Sequence, residues 1–279
     1  MLFVSLPYGF PQREYPGGFI GEVRNYKVAP GESLLEIGRR FDLGYNEIHD
    51  ANRGIDPLVP KAGTVVTIPV AWIPPSFSVR PCLVINLAEF RLYYLPRKPG
   101  AQVQTFPIGI GDEASGTPLG SYSVIDKIVN PSWHVPSSIR SKRPDLPPVI
   151  PPGPENPLGS HALRLSRNDI LIHGTNRPGG VGRRSSHGCL RLYPEDIVRL
   201  FRSVETGTKV FIVDQPVKVG LRGERIFVEI HGDKGDALGP GDVLRMMASR
   251  GLLRTIDLGK LVRAVEEKRG YPVEVTWTK

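Results

Sequence analysis

Between residues 80 and 215 the apolar positions fall in short runs cut by Gly and Pro. Pro81-Cys82-Leu83-Val84-Ile85 and Arg91-Leu92-Tyr93-Tyr94 predict a hairpin turning at Ala88-Glu89. Val103 to Ile110 predicts a third strand, and Thr117 to Val124 a turn and a fourth. Glu195 to Val204 predicts a helix with Ile197, Val198, Leu200 and Phe201 on one side, and Thr208 to Val213 a closing strand. Many short strands with Gly/Pro punctuation predict a mainly β domain, a sandwich or barrel. Residues 126–160 carry 9 prolines and little regular pattern. A loop that long in a compact domain is usually functional or disordered, and this one is expected to be functional, walling a groove lined by Trp133 and His134.

Residues 25–70 show a different period. Tyr26-Lys27-Val28 predicts a strand, Pro30-Gly31-Glu32-Ser33 a turn and helix cap, and Leu34, Leu35, Ile37 and Phe41 an amphipathic helix. Tyr45 to Ala51 predicts a second helix and Val65 to Pro69 a closing strand, giving β-α-α-β. Residues 71–79 are expected to be a short stiff linker, and 1–24 an arm anchored by Phe3, Tyr8, Phe10, Tyr15 and Phe19. Residues 216–279 predict an α/β extension: a hairpin over Val217 to Val219 and Ile226 to Ile230, helices over Gly241 to Ala248 and Asp257 to Lys268, and a strand from Val273 to Trp277.

The 279 residues suffice for two domains and a sizeable core, and 40% hydrophobic content fits a folded chain. A net charge of +8 suits an anionic partner. Nucleic acid is disfavoured, because no stretch interleaves aromatic and basic residues on a binding helix. No apolar run is long enough for a transmembrane helix. Met1 to Leu6 is too short and lacks the basic start of a signal peptide.

The chemistry concentrates between His173 and Cys189. This stretch holds two of the six histidines and one of the two cysteines. Apolar residues lead in (Ile170, Leu171, Ile172) and out (Leu190, Leu192), so two strands are expected to bring a histidine and a thiol to one end of a sheet. A thiol needs a base or positive surroundings to act as a nucleophile. His173 is the first candidate base, and His187 is expected on the same strand face as Cys189. Backbone N–H groups around Ser186, Gly188 and Cys189 are candidates for an oxyanion hole. Arg183, Arg184 and Arg191 favour thiolate and suit a substrate carboxylate. A zinc site lacks further ligands at suitable spacing, and neither metal nor cofactor is expected. Cys82 is expected to be a small buried hydrophobe.

His173-Gly174-Thr175 with Ser186-His187-Gly188-Cys189-Leu190-Arg191-Leu192 resembles the signature of the L,D-transpeptidases, the YkuD-type domain. The resemblance implies a YkuD-like β-sandwich or barrel over 80–215, with Cys189 as nucleophile, His173 as base and the Gly174 carbonyl orienting it. It implies His187 and Arg191 as substrate-binding residues. The implied substrate is the peptidoglycan stem peptide, with carbapenems as inhibitors. Residues 25–70, through Pro30 to Leu34 and Asn52 to Asp56, are similar to a LysM module. That likeness implies a contact with the glycan strand through Gly31, Glu32, Ser33, Asn52 and Ile55. Pro152 to Leu163 resembles the periplasmic Gram-negative enzymes that attach the outer-membrane lipoprotein to the wall or form related crosslinks. A lipoprotein or outer-membrane protein acceptor is therefore implied, as is export, so the sequence is expected to be a mature form. A carboxypeptidase or amidase acting on the same bonds is the alternative.

Overall fold

The computed structural model describes residues 19–75, 77–98, 101–167, 170–232 and 239–277. Phe3, Tyr8, Phe10 and Tyr15 of the expected arm lie outside these. Phe19 is described; it meets Phe227 edge-on at 4.9 Å.

β1 (Ile20–Gly21) leads into β2 (Arg24–Lys27), α1 (Leu34–Arg40), α2 (Tyr45–Asp50), β3 (Val65–Ile68) and β4 (Ala71–Trp72). β2 pairs antiparallel with β3, and β1 with β4. Ser33 caps α1: its hydroxyl accepts from Glu36 N–H, and the Glu36 carboxylate accepts from Ser33 N–H. Leu34, Ile37, Leu43, Ile48, Val66 and Ile68 have no exposed surface and form the centre of this unit.

The second unit holds β5 (Cys82–Asn86), β6 (Arg91–Leu95), β7 (Gln104–Pro107), β8 (Ile110–Gly111), β9 (Gly120–Val129), β10 (Trp133–His134), α3 (Ser137–Arg140), β11 (Val149–Ile150), β12 (His161–Leu165), β13 (Leu171–His173), β14 (Arg184–Ser186), β15 (Leu190–Arg191), α4 (Pro194–Ser203) and β16 (Lys209–Val213). Eight strands make one sheet in the order β15-β13-β12-β9-β16-β5-β6-β7. Beyond β7, Gly109 bridges to Arg191 on the opposite edge strand, N–H to O at 2.8 and 2.9 Å. The sheet therefore curls back on itself, as the punctuated strand pattern predicts. Inside it lie Leu83, Ile85, Leu92, Phe106, Val124, Leu163, Ile172 and Leu190, capped by Ile197 and Leu200 of α4. The single strand expected over Val103 to Ile110 is broken into β7 and β8. The stretch over 126–160 is more regular than its composition suggests: β9 runs to Val129, and β10 pairs with β11. Buried Asn156 ties it down, its amide donating to the carbonyls of Pro131, Ile150 and Pro151.

The C-terminal unit is β17 (Val217–Arg222), β18 (Arg225–Ile230), α5 (Pro240–Ser249), α6 (Leu258–Glu267) and β19 (Val273–Glu274). Its three strands order β17-β18-β19. Val228, Ile230, Val243, Met247, Leu261 and Val265 are buried between sheet and helices.

The units are welded at their seams. Cys82, Val84, Tyr93 and Leu95 point outward from the large sheet and share one apolar cluster with Leu34, Ile37 and Ile48 of the first unit. This explains why β5 is apolar at consecutive positions: both its faces are covered. The expected linker is partly packed rather than free: Trp72, Ile73 and Phe77 are buried. Beneath the first seam, fully buried Arg91 donates to the Glu47 carboxylate at 2.8 and 2.7 Å and to Asp42 O at 2.8 Å. Glu47 also accepts from Trp72 Nε1. Beneath the second seam, Lys218 Nζ reaches Glu89 at 2.6 Å and Glu229 at 2.8 Å, with His231 Nε2 2.7 Å from Glu229. Glu89, Glu229 and His231 cluster closely enough to hold a metal ion, but the Lys218 ammonium supplies the positive charge between the carboxylates.

Candidate active site

β13 and β15 run side by side in parallel, with Ile172 opposite Leu190 and His173 opposite Arg191. Ile172 and Leu190 face the core and are fully buried. Alternation then directs Leu171, His173 and Arg191 to the other face, and Cys189 lies in the turn that enters β15, one residue before Leu190.

His173 is 3% exposed. Its Nδ1 lies 2.6 Å from the Gly174 carbonyl. A carbonyl can only accept, so Nδ1 carries the proton and Nε2 is the basic nitrogen. Burial, then the positive charge of Arg191, push the imidazolium down to about 4, against the pull of the Gly174 and Leu158 carbonyls. The ring is therefore neutral at pH 7 and able to take a proton. Gly174 is itself confined: a Cβ there would lie 3.0 Å from Ile197 Cγ2. Its N–H donates to His161 O and fixes the turn after β13.

Cys189 is half-exposed, in contrast to sealed Cys82, whose thiol burial pushes up to about 11. The turn before Cys189 is held on several sides. The Ser186 hydroxyl donates to Cys189 O at 2.5 Å, and Ser186 O accepts from Asp112 N–H at 2.8 Å. Gly188 has φ +101, a conformation closed to most side chains, and its carbonyl accepts from the Thr117 hydroxyl at 3.1 Å. Thr117 Oγ1 also accepts from Gly111 N–H. The buried Ser186 hydroxyl is thus spent on shaping the turn, which leaves a backbone role toward substrate. Asp112 and Thr117 were not legible as site residues, because their partners lie about 70 positions away in sequence.

Arg191 is partly buried, and its Nε has no hydrogen-bond partner among the described residues. Burial lowers its pKa; the Cys189 sulfur opposes that shift and Arg177 adds to it. A guanidinium beside a sulfur favours thiolate and retains donors for an anion. His187 is exposed, and Trp133 is half-exposed on β10, opposite Ile150. Arg183 and Arg184 lie over aromatic rings, 3.7 Å from the centroid of Tyr45 and 5.8 Å from that of Phe90.

The expected glycan contacts divide. Asn52 is 6% exposed, and its amide bonds Ile48 O, Thr67 O and Thr67 N–H at 2.7–2.8 Å. It is a staple between α2 and β3, and its amide is not available to a sugar. Glu32 likewise closes its own turn, accepting from Ala29 N–H, Tyr26 and Arg40. Gly31 stands in open surroundings at φ +80, and Ile55 lines a groove of about 430 Å³ with Asp50, Arg53, Glu267 and Arg269.

The model of the L,D-transpeptidase catalytic domain, YkuD, matches residues 80–212, and the LysM domain model matches 26–69. Probable L,D-transpeptidase YcfS of Escherichia coli strain K12 is 37% identical over 274 residues, which span 92% of this chain and 84% of that protein. The chain belongs to the L,D-transpeptidase family. Probable L,D-transpeptidase YbiS of the same strain is 35% identical over 259 residues, 88% of this chain and 83% of its own length. Probable L,D-transpeptidase ErfK/SrfK of Salmonella typhimurium is 33% identical over 289 residues, 98% and 92% of the two chains. The transpeptidase fold and the mainly β reading agree with the sequence pattern. Among the described residues, no helix is long and apolar enough to cross a membrane.

Proposed function

We propose that this L,D-transpeptidase transfers peptidoglycan stem peptides through a thioester on Cys189. The Cys189 sulfur attacks the carbonyl carbon of the third residue of a tetrapeptide stem. His173 Nε2 takes the thiol proton and passes it to the departing amine, so the amide C–N bond breaks, D-Ala leaves and a thioester remains. Backbone N–H groups of the Ser186–Cys189 turn stabilise the oxyanion. Arg191, with Trp133 and His187 beside the groove, holds the anionic peptide. An acceptor amine then attacks the thioester, losing its proton to His173, and the thiol is restored. That amine comes from a second stem, giving a 3–3 crosslink, or from the lysine of a lipoprotein or outer-membrane protein.

The reading places the enzyme in the periplasm, with residues 25–70 gripping glycan through Gly31, the Ser33 turn and Ile55, and 80–215 doing the chemistry. Carbapenems acylate the same sulfur. The observation that supports it best is the pairing of β13 with β15: a neutral, buried imidazole stands opposite Arg191, two residues past a half-exposed thiol in the turn entering β15. The test is incubation with tetrapeptide muropeptides, with and without an added amine. D-Ala release with an amide product in the presence of amine is expected. Product that forms equally in Cys189→Ala would refute the assignment.

A further inference from the structure

The turn that leads into the thiol is gripped by the LysM unit. The backbones of Gly44 and Gly182 approach so closely that a Cβ on Gly182 would lie 2.2 Å from Tyr45 N, and one on Gly44 would lie 2.8 Å from Gly182 Cα. Tyr45 N–H donates to Val181 O at 3.2 Å. The Arg183 guanidinium lies 3.7 Å from the centre of the Tyr45 ring, which is stacked in turn on His49 at 5.3 Å. Just after Cys189, buried Tyr193 donates its hydroxyl to Leu43 O at 3.0 Å. The other side of the same turn is held by the large sheet: Gly182 N–H donates to Ile108 O, and Ile110 N–H to Arg183 O. Only six residues separate Gly182 from Cys189, and they are pinned by Ser186 and Thr117. Any shift of α2 must therefore pass to the thiol turn, because packed backbone has no slack to absorb it.

We propose that the LysM module is a working part of the transfer site, with Tyr45 and Gly44 as positioning residues for the Gly182–Cys189 turn. The module then governs turnover of substrates it never touches. A tether, by contrast, would matter only for substrates attached to glycan. The buried Glu47–Arg91 pair keeps α2 in place for this role. The inference rests on Cys189 being the nucleophile.

The test uses the full chain and a soluble tetrapeptide free of glycan. Acylation of Cys189 is followed by mass spectrometry, the pH profile of its alkylation by iodoacetamide is recorded, and Tm is measured alongside. Tyr45→Phe keeps the ring over Arg183 and should stay within about twofold of wild type, whereas Tyr45→Ala should lose about tenfold in kcat with KM nearly constant. The alkylation profile of Tyr45→Ala should shift as well, a change that loss of stability alone does not produce. If Tyr45→Ala fails to fold, Arg183→Gln removes the same contact from an exposed position and should show the same loss in kcat. Wild-type kcat and alkylation profile in Tyr45→Ala, or in Arg183→Gln where Tyr45→Ala does not fold, would overturn the proposal. Absence of acylation in the wild type would instead remove the Cys189 assignment on which it rests.

Discussion

His231 and His173 are both almost fully buried, at 5% and 3% exposure, yet their surroundings are opposite in kind. His231 sits among carboxylates, 2.7 Å from Glu229 and 3.7 Å from Glu89, with Lys218 between the two acids. His173 meets the carbonyls of Gly174 and Leu158, with a guanidinium nearby, and its imidazolium is pushed down to about 4. Charges at the seam between the catalytic and C-terminal units are neutralised in place, which suits a permanent joint. At His173 a neutral ring is kept, as the proposed proton transfer requires. The same residue type thus joins an ion cluster in one region and, under the proposed function, moves a proton in the other, and the partner decides which.

The sharpest break in this comparison is chemical. Cys189→Ala should reduce D-Ala release to background with little change in Tm, and His173→Gln should lower it by about 10² to 10⁴ per folded molecule. His231→Gln should do the reverse, leaving the rate per folded molecule near wild type while Tm falls.

Second in size is the seam itself. Arg91→Met leaves Glu47 buried without its cation and should cost about 3–5 kcal/mol in denaturant unfolding. Replacing both Arg91 and Glu47 by apolar residues should recover much of that loss.

Acidity sharpens the contrast further. The folded pKa of His173 lies below its ordinary 6.5, so from pH 6.5 down to about 4 the unfolded chain binds a proton that the folded chain refuses. Its contribution to stability is complete above 6.5 and lost as pH falls through that window, roughly 3 kcal/mol in all. His173→Gln should flatten that part of the stability curve. For catalysis, the acid limb of kcat/KM should lie near pH 4, not near the usual histidine value.

The smallest effect is expected at the rim. Arg39 pairs with Glu195 across the LysM–catalytic boundary at 2.9 Å, but both side chains are over 40% exposed. Arg39→Ala should therefore cost about 1 kcal/mol or less, and less still in high salt.

The candidate pair and most strands stand out in the sequence because their signals are local. His173 and Cys189 sit in one short stretch, and α4, β16 and the C-terminal helices follow the apolar period of their own residues. The seams were not legible. Glu47 and Arg91 are 44 positions apart, and Glu89 and Lys218 are 129 apart, so each reads alone as a surface charge. Asn52 looked like a glycan contact because an exposed loop amide and a buried staple have the same sequence appearance. Cys82 and Val84 pointed to a buried strand, but nothing nearby in the sequence says that the LysM unit covers that face.

The most direct test of the account is intact-protein mass spectrometry after brief exposure to a soluble tetrapeptide stem, followed by peptide mapping. A mass increase equal to the peptide less D-Ala, carried by Cys189 and discharged on adding an amine, is the predicted result. An adduct on any other residue, or transfer that proceeds undiminished in Cys189→Ala, would contradict it.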